Sequence, residues 1–268
     1  MKKLIKPQRD LPLNEVGMGK IPTYGGPKVP RDGQPMEIKG VVDVSLVDWD
    51  GKVSSVFFLP GCNFRCPFCQ NSALVLHPET EKTIPFPKVK GLLERQKGWI
   101  DGVCITGGEP TVHNDLANLC SKLKKMDLLV KLDTNGTNPT MVKELIERSL
   151  VDYIALDIKA PLSEEKYSRA TGINSKTLLT KVKETIETLL KSEIAYEFRT
   201  TVVPTLHQRD DIEEICRSIE GCRKYVVQKF RGENTIDPAF SELTPFSDDE
   251  MEVFVAAART FLPNVATR

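Results

Sequence analysis

Apolar, β-branched runs alternate with amphipathic, charged runs from about residue 45 to the end of the chain, and this alternation narrows the possible folds more than any single residue does. Strands are expected at 53–59, 102–106, 128–133, 151–158, 195–203 and 223–230. Between and after them, residues 86–97, 114–126, 139–149, 175–191, 210–219 and 247–261 space their apolar side chains as helices do; Leu179, Val182, Ile186 and Leu189 form one such stripe. Ser247 with Glu250 resembles a capping box at the start of the last helix. Strand then helix, repeated about six times, requires parallel strands joined by right-handed crossovers, as an open sheet or a partial barrel. Either architecture assembles its chemistry at the C-terminal ends of the strands.

At 268 residues the chain is long enough for two domains, but single barrels of this size are common. Residues 17–40 carry six glycines and four prolines, too many for a regular element, so 1–40 is expected to be an N-terminal extension and 41–268 the folded domain. The 37 Lys and Arg balance the 37 Asp and Glu, so no global field draws the protein to nucleic acid or to an anionic membrane. Pro7, Arg9 and Asp10 interrupt the basic start before an apolar targeting segment develops. No run approaches the ~18 apolar residues of a membrane span, so a cytoplasmic protein is expected.

Seven cysteines, an odd number, argue against a disulfide scaffold, and three of them cluster directly after the first expected strand. There the chain reads Gly61-Cys62-Asn63-Phe64-Arg65-Cys66-Pro67-Phe68-Cys69-Gln70-Asn71, a Cys-x3-Cys-x2-Cys spacing. Pro60, Gly61 and Pro67 argue against a continuous helix, so three thiols can converge from a loop onto one centre. Structural zinc takes four ligands, whereas a four-iron cluster on three cysteines keeps one iron free for a substrate. A zinc site completed by Cys104 or His113 stays open as the alternative, although zinc ligands usually come as two Cys-x2-Cys-type pairs. Cys104, between Val103 and Ile105, reads as a core thiol, as do Cys120, Cys216 and Cys222.

Polar or glycine-rich motifs follow at four consecutive strand ends. After the second strand comes Thr106-Gly107-Gly108-Glu109-Pro110, where two glycines let backbone approach a ligand and Glu109 can accept hydrogen bonds from an ammonium group. After the third comes Asp133-Thr134-Asn135-Gly136, by itself an ordinary turn signal. At the fourth, Asp157 and Lys159 share a face if the strand persists. On the fifth, Arg199 shares a face with Thr201 and Val203, suiting it to a cofactor, a partner peptide or a rim salt bridge. His77, His113 and His207 fall in loops or at helix starts, where surface or capping roles are the default.

The cysteine spacing, with aromatic Phe68 just before the last cysteine, resembles the signature of the radical S-adenosylmethionine superfamily, over about residues 41–230. Within it, the stretch from Ser45 to Lys52 leading into the cysteine loop resembles activating proteins of glycyl radical enzymes, particularly those of anaerobic ribonucleotide reductase; Gln70 stands where many of those have histidine. The resemblance implies a partial (β/α)6 TIM-like barrel of the α/β class. It also implies a [4Fe-4S] cluster on Cys62, Cys66 and Cys69, reduced by an external one-electron donor. S-adenosylmethionine would then be cleaved to methionine and a 5'-deoxyadenosyl radical that takes a hydrogen atom from a glycine of a larger partner.

On the same resemblance, Gly107, Gly108 and Glu109 hold the methionine amine, Lys159 faces its carboxylate, and Asp133, Asn135 and Asp157 lie near the sulfonium or ribose. Phe68 lies against the adenine, Arg199 engages cofactor or partner, and two matching aspartates hold a monovalent cation in some activators. Where some carry a ribose-binding histidine at the sixth strand, this chain has Gln228 or Phe230. The alternatives are a radical enzyme acting on a small molecule, RNA or another peptide, and a non-catalytic zinc-binding module.

Overall fold

The computed structural model describes residues 36–268. Its elements, in chain order, are β1 (Gly40–Ser45), β2 (Ser54–Leu59), α1 (Ser72–Leu76), α2 (Phe86–Arg95), β3 (Gly102–Gly107), α3 (Leu116–Lys124), β4 (Leu129–Thr134), α4 (Pro139–Glu147) and β5 (Tyr153–Asp157), then α5 (Glu164–Thr171), α6 (Lys176–Leu190), β6 (Ala195–Val202), α7 (Arg209–Ser218), β7 (Tyr225–Lys229), α8 (Pro238–Ser241), α9 (Asp248–Arg259) and β8 (Val265–Thr267). The strands form one sheet in sequential order from β1 to β8. β1 pairs antiparallel with β2, and every later pair is parallel. Crossovers of one hand in sequential order put the helices on one face of the sheet and leave the other face to curl inward as a partial barrel.

The six expected strands are β2 to β7. β1, six residues long, and β8, three residues long, flank them as outer strands. The stripe of Leu179, Val182, Ile186 and Leu189 lies buried along α6. At α9 the box closes both ways: Ser247 N donates to Glu250 Oε2 at 2.7 Å and Glu250 N to Ser247 Oγ at 3.3 Å. Of the expected extension, residues 1–35 lie outside the described residues. Ile38 is buried and its carbonyl accepts from Ile84 N at 2.7 Å, and Gly40 opens β1.

Strand pleating turns Val130 and Leu132 of β4 one way and Lys131 and Asp133 the other. The second set faces the barrel interior, together with Glu197 and Arg199 of β6. The N-terminal end of this polar interior is closed by the turn between β1 and β2. There Trp49 is buried with its ring 6.0 Å from that of Tyr153, and Lys131 Nζ donates to Asp48 O at 2.7 Å. Asp50 pairs with Lys224 and, at 2.6 Å, with Arg268. Beneath the turn, Glu197 takes Lys224 at 2.9 Å, Arg268 at 3.0 Å and the Tyr153 hydroxyl at 3.0 Å. The Ser45–Lys52 stretch is therefore a floor plug. Trp49→Ala is expected to cost about 3–5 kcal/mol, read as a lower urea midpoint at unchanged slope.

Candidate active site

The cysteine loop leaves β2 at the C-terminal end of the barrel and is clamped from three sides. Gly61 O accepts Glu109 N at 2.8 Å, and a Cβ built on Gly108 would stand 1.8 Å from that same oxygen. The glycine pair after β3 thus admits the backbone of the cysteine loop. On the second side, Arg65 N donates to Thr171 O at 2.8 Å. Gly172, which ends α5 at φ +65°, leaves room for Arg65 O where a Cβ would come within 2.2 Å. On the third, Asp237 N donates to Pro67 O at 2.9 Å and Gln70 Nε2 to Arg231 O at 2.9 Å. Inside the loop, the buried Arg65 guanidinium donates through one nitrogen to Cys62 O at 2.8 Å and Phe64 O at 2.7 Å.

Cys62 and Cys66 are buried and Cys69 is half-buried, all as free thiols. Burial pushes all three upward in pKa, Cys66 to about 12, with Lys159 pulling the other way at Cys66 and Cys69. The loop alone therefore keeps the thiols protonated, and a metal centre is what would draw off their protons. Three soft sulfur donors on a rigid loop suit an iron-sulfur cluster. Neither residue considered for closing a zinc site turns toward them. His113 Nε2 bonds Pro60 O at 2.8 Å, and Cys104 Sγ lies 3.8 Å from Lys131 Nζ. Among the described residues, no group of three or more His, Cys, Asp or Glu converges where a single ion could sit.

The motifs after β3 and β4 meet the loop. Glu109 is buried, and its Oε1 accepts from Thr111 N, Thr111 Oγ1 and Thr134 Oγ1 at 3.0, 2.5 and 2.7 Å while Oε2 accepts from Asn135 N at 2.6 Å. Burial raises its pKa in spite of these donors. Asn135 Nδ2 reaches Asn63 Oδ1 at 2.9 Å and Cys62 Sγ at 3.9 Å, and Asn63 in turn donates to Thr137 Oγ1 at 2.6 Å. Asn71 Nδ2 donates to Gly107 O at 2.6 Å. Phe68 is buried.

Inside the barrel the charged residues form a ladder of alternating sign across β4, β6 and β5. Lys131 Nζ lies 2.7 Å from Asp133; Arg199 bridges Asp133 at 3.0 Å and Asp157 at 2.8 Å; Lys159 Nζ lies 3.0 Å from Asp157. Burial would raise both aspartates, but Arg199 above all holds them below the usual carboxylate range. Lys159 is raised above an ordinary lysine: burial opposes this, but the Asp157 carboxylate outweighs it. Within the ladder itself three cations face two carboxylates, and each end cation is paired with its neighbouring aspartate. Between the two aspartates, the position of a cation is filled by the Arg199 guanidinium.

Sequence reasoning missed Asn63, Arg65 and Asn71, although all three stand within the cysteine motif. It also gave His113 and His207 surface or capping roles by default; both are buried, bonded to backbone carbonyls at the rim. His77 is exposed, as expected.

Residues 56–219, from within β2 through α7, match the Radical SAM superfamily. The chain belongs to this superfamily. A putative glycyl-radical enzyme activating enzyme of Methanocaldococcus jannaschii is 31% identical over 234 residues, 86% of this chain and 95% of that protein. A probable GTP 3',8-cyclase of Thermococcus kodakarensis is 28% identical over 148 residues, 54% of this chain and 46% of that one. SuiB of Streptococcus suis, in a crystal structure with its precursor peptide SuiA, has a TM-score of 0.58 at 15% identity over 77% of this chain and 46% of SuiB, a likeness of fold alone. For a radical SAM protein the family implies a [4Fe-4S] cluster and S-adenosylmethionine. No helix among the described residues is long and apolar enough to cross a membrane.

The ladder of this radical SAM protein has a measurable signature. Because Asp133 and Asp157 are depressed in the folded state, their pairs stabilise it fully above the unfolded aspartate value of about 4. That contribution is lost as pH falls through the lower native values. Melting temperature is expected to drop steeply below about pH 4. Asp133→Asn leaves Lys131 and Arg199 each short of a partner; it should cost about 3 kcal/mol at neutral pH and flatten the acid limb, which thermal scans of both proteins across pH will show.

Proposed function

We propose that this radical SAM protein carries its cluster on Cys62, Cys66 and Cys69, with one iron left to S-adenosylmethionine, and installs a glycyl radical on a larger partner enzyme of the anaerobic ribonucleotide reductase type. The reading is supported by one observation: three thiols, two buried and one half-buried, share a clamped loop beside Lys159, whose ammonium lies 3.0 Å from Asp157 at the same rim. The chemistry that cluster and cofactor supply when bound is one-electron reductive cleavage of the sulfonium to methionine and a 5'-deoxyadenosyl radical, with the electron from an external donor.

The chain's own residues bind and orient. Lys159 faces the cofactor carboxylate, and the turn at Gly107, Gly108 and Glu109 faces the amine, with Oε2 the less engaged oxygen of Glu109. Asp133, Asp157 and Asn135 lie toward the sulfonium and ribose, and Phe68 toward the adenine. Arg199 keeps both aspartates ionised and supplies the positive charge that a monovalent cation would bring between them. The closed floor keeps water from the radical's side of the barrel.

The glycyl partner is supported by the name of the Methanocaldococcus jannaschii relative, which the chain matches over nearly its whole length. Reduced protein, S-adenosylmethionine and a candidate glycyl radical enzyme are expected to give a glycyl radical by electron paramagnetic resonance. 5'-Deoxyadenosine formed without that radical would instead favour a small-molecule, RNA or other peptide substrate. Cys66→Ala should abolish cluster assembly while keeping the helical circular dichroism, and Lys159→Ala should weaken cofactor binding more than iron content; equal iron loss in both variants would remove Lys159 from its role.

A further inference from the structure

β5 stops at Asp157, yet Lys159 has to hold its ammonium beside Asp157 and the cysteine loop from two residues further on. The main-chain ladder to β6 makes one more bond, Ile158 N to Arg199 O at 2.8 Å, and then side chains take over. Thr200 Oγ1 donates to Ile158 O at 3.0 Å, and His207 Nε2 lies 2.8 Å from Lys159 O. Val203 N donates to His207 Nδ1 at 3.0 Å. Nδ1 therefore carries no proton, and Nε2 is the nitrogen that donates to Lys159 O. Burial pushes the imidazole below an ordinary histidine pKa, so the ring stays neutral and keeps this tautomer.

The turn that delivers the ring is strained. Thr205 is a β-branched residue at φ +73°, in the left-handed region that such residues avoid. Leu206 N and His207 N both return to Val203 O, at 3.2 and 3.0 Å, which closes the turn and aims the ring inward. Strain of this kind persists where the surroundings over-determine it, commonly at working sites. Nothing in the chemistry above uses His207, although it is 2% exposed and reaches the rim.

We propose that His207 is a positioning residue: through the relay from Val203 N–H to the Lys159 carbonyl it fixes where the Lys159 ammonium stands, and so sets affinity for the carboxylate of S-adenosylmethionine. The inference rests on the functional reading given above. It predicts selectivity for one group of the ligand, which a general loosening of the fold would not produce.

The test is anaerobic calorimetric titration of the cluster-loaded full chain with S-adenosylmethionine and with its decarboxylated analogue, which lacks only that carboxylate. In His207→Asn, Oδ1 can still accept Val203 N–H but the side chain falls short of Lys159 O. This variant is expected to bind S-adenosylmethionine roughly tenfold more weakly, with iron content and affinity for the analogue unchanged. His207→Gln, which keeps a donor near the Nε2 position, should recover to about threefold.

Wild-type affinity for S-adenosylmethionine in the asparagine variant, or equal weakening of both ligands, overturns the role of His207. Should the asparagine variant not fold, the glutamine variant decides alone: a selective loss for S-adenosylmethionine supports the role, and an equal loss or none overturns it. Failure of the unaltered, iron-loaded protein to bind S-adenosylmethionine overturns the functional reading and this inference together.

Discussion

Arg199, held between Asp133 and Asp157, is the interaction on which the rest of the barrel depends. Small barrels usually fill their interiors with branched apolar side chains. Here the space between β4, β5 and β6 is filled by charge, and each charge taken from water must be matched by a partner at hydrogen-bond distance. The match works only in the observed register, with Asp157 of β5 opposite Arg199 of β6 and Asp133 of β4 opposite Ala155. A slip of one residue would turn the charged set into the apolar layer under the helices. The ladder therefore selects its own strand pairing, and it ends at the rim in Lys159, paired with Asp157.

The cysteine loop depends on that scaffold from above. Its conformation is set by contacts that side chains would block: Gly108 against Gly61 O, and Gly172 against Arg65 O. These glycines are needed because two backbones touch, one from the turn after β3 and one from the end of α5. Burial also raises the thiols above an ordinary cysteine, so the same clamping that orders the loop opposes their ionisation. Fold and electrostatics meet at Lys159, which lies against Asp157 on one side and partly offsets the upward shift of the Cys66 and Cys69 thiols on the other.

Much of this was legible in the residues. The six interior strands announce themselves because each buries one face under a helix and therefore carries a run of Val, Ile, Leu or Phe. β1 and β8 sit at the sheet's outer edges and bury less: β1 carries Val41, Val42 and Val44 but leaves Val42 and Val44 exposed, and β8 is three residues long. α5 was missed for a related reason: Glu164, Glu165, Lys166 and Arg169 dominate its sequence, and its burial rests on Tyr167, Ala170 and Thr171. The cysteine spacing named the superfamily, while the loop's polar supports Asn63, Arg65 and Asn71 went unread because polar residues near a turn look alike whether they face water or a buried carbonyl. His207 shows the same blindness, since nothing next to it in sequence says that Val203 N–H and Lys159 O will lie on opposite sides of its ring.

What the sequence settled alone is whatever short-range chemistry dictates: the period of the six interior strands and of α2, α3, α4, α6, α7 and α9, the spacing of three thiols on one loop, and the placing of polar motifs at successive strand ends. The tertiary structure decided the pairings. Arg199 lies 42 positions from Asp157 and 66 from Asp133, and His207 lies 48 from Lys159. Burial and hydrogen-bond geometry depend on which groups the folded chain brings within about 3 Å, and separation along the chain carries no information about that distance until the sheet has closed around it.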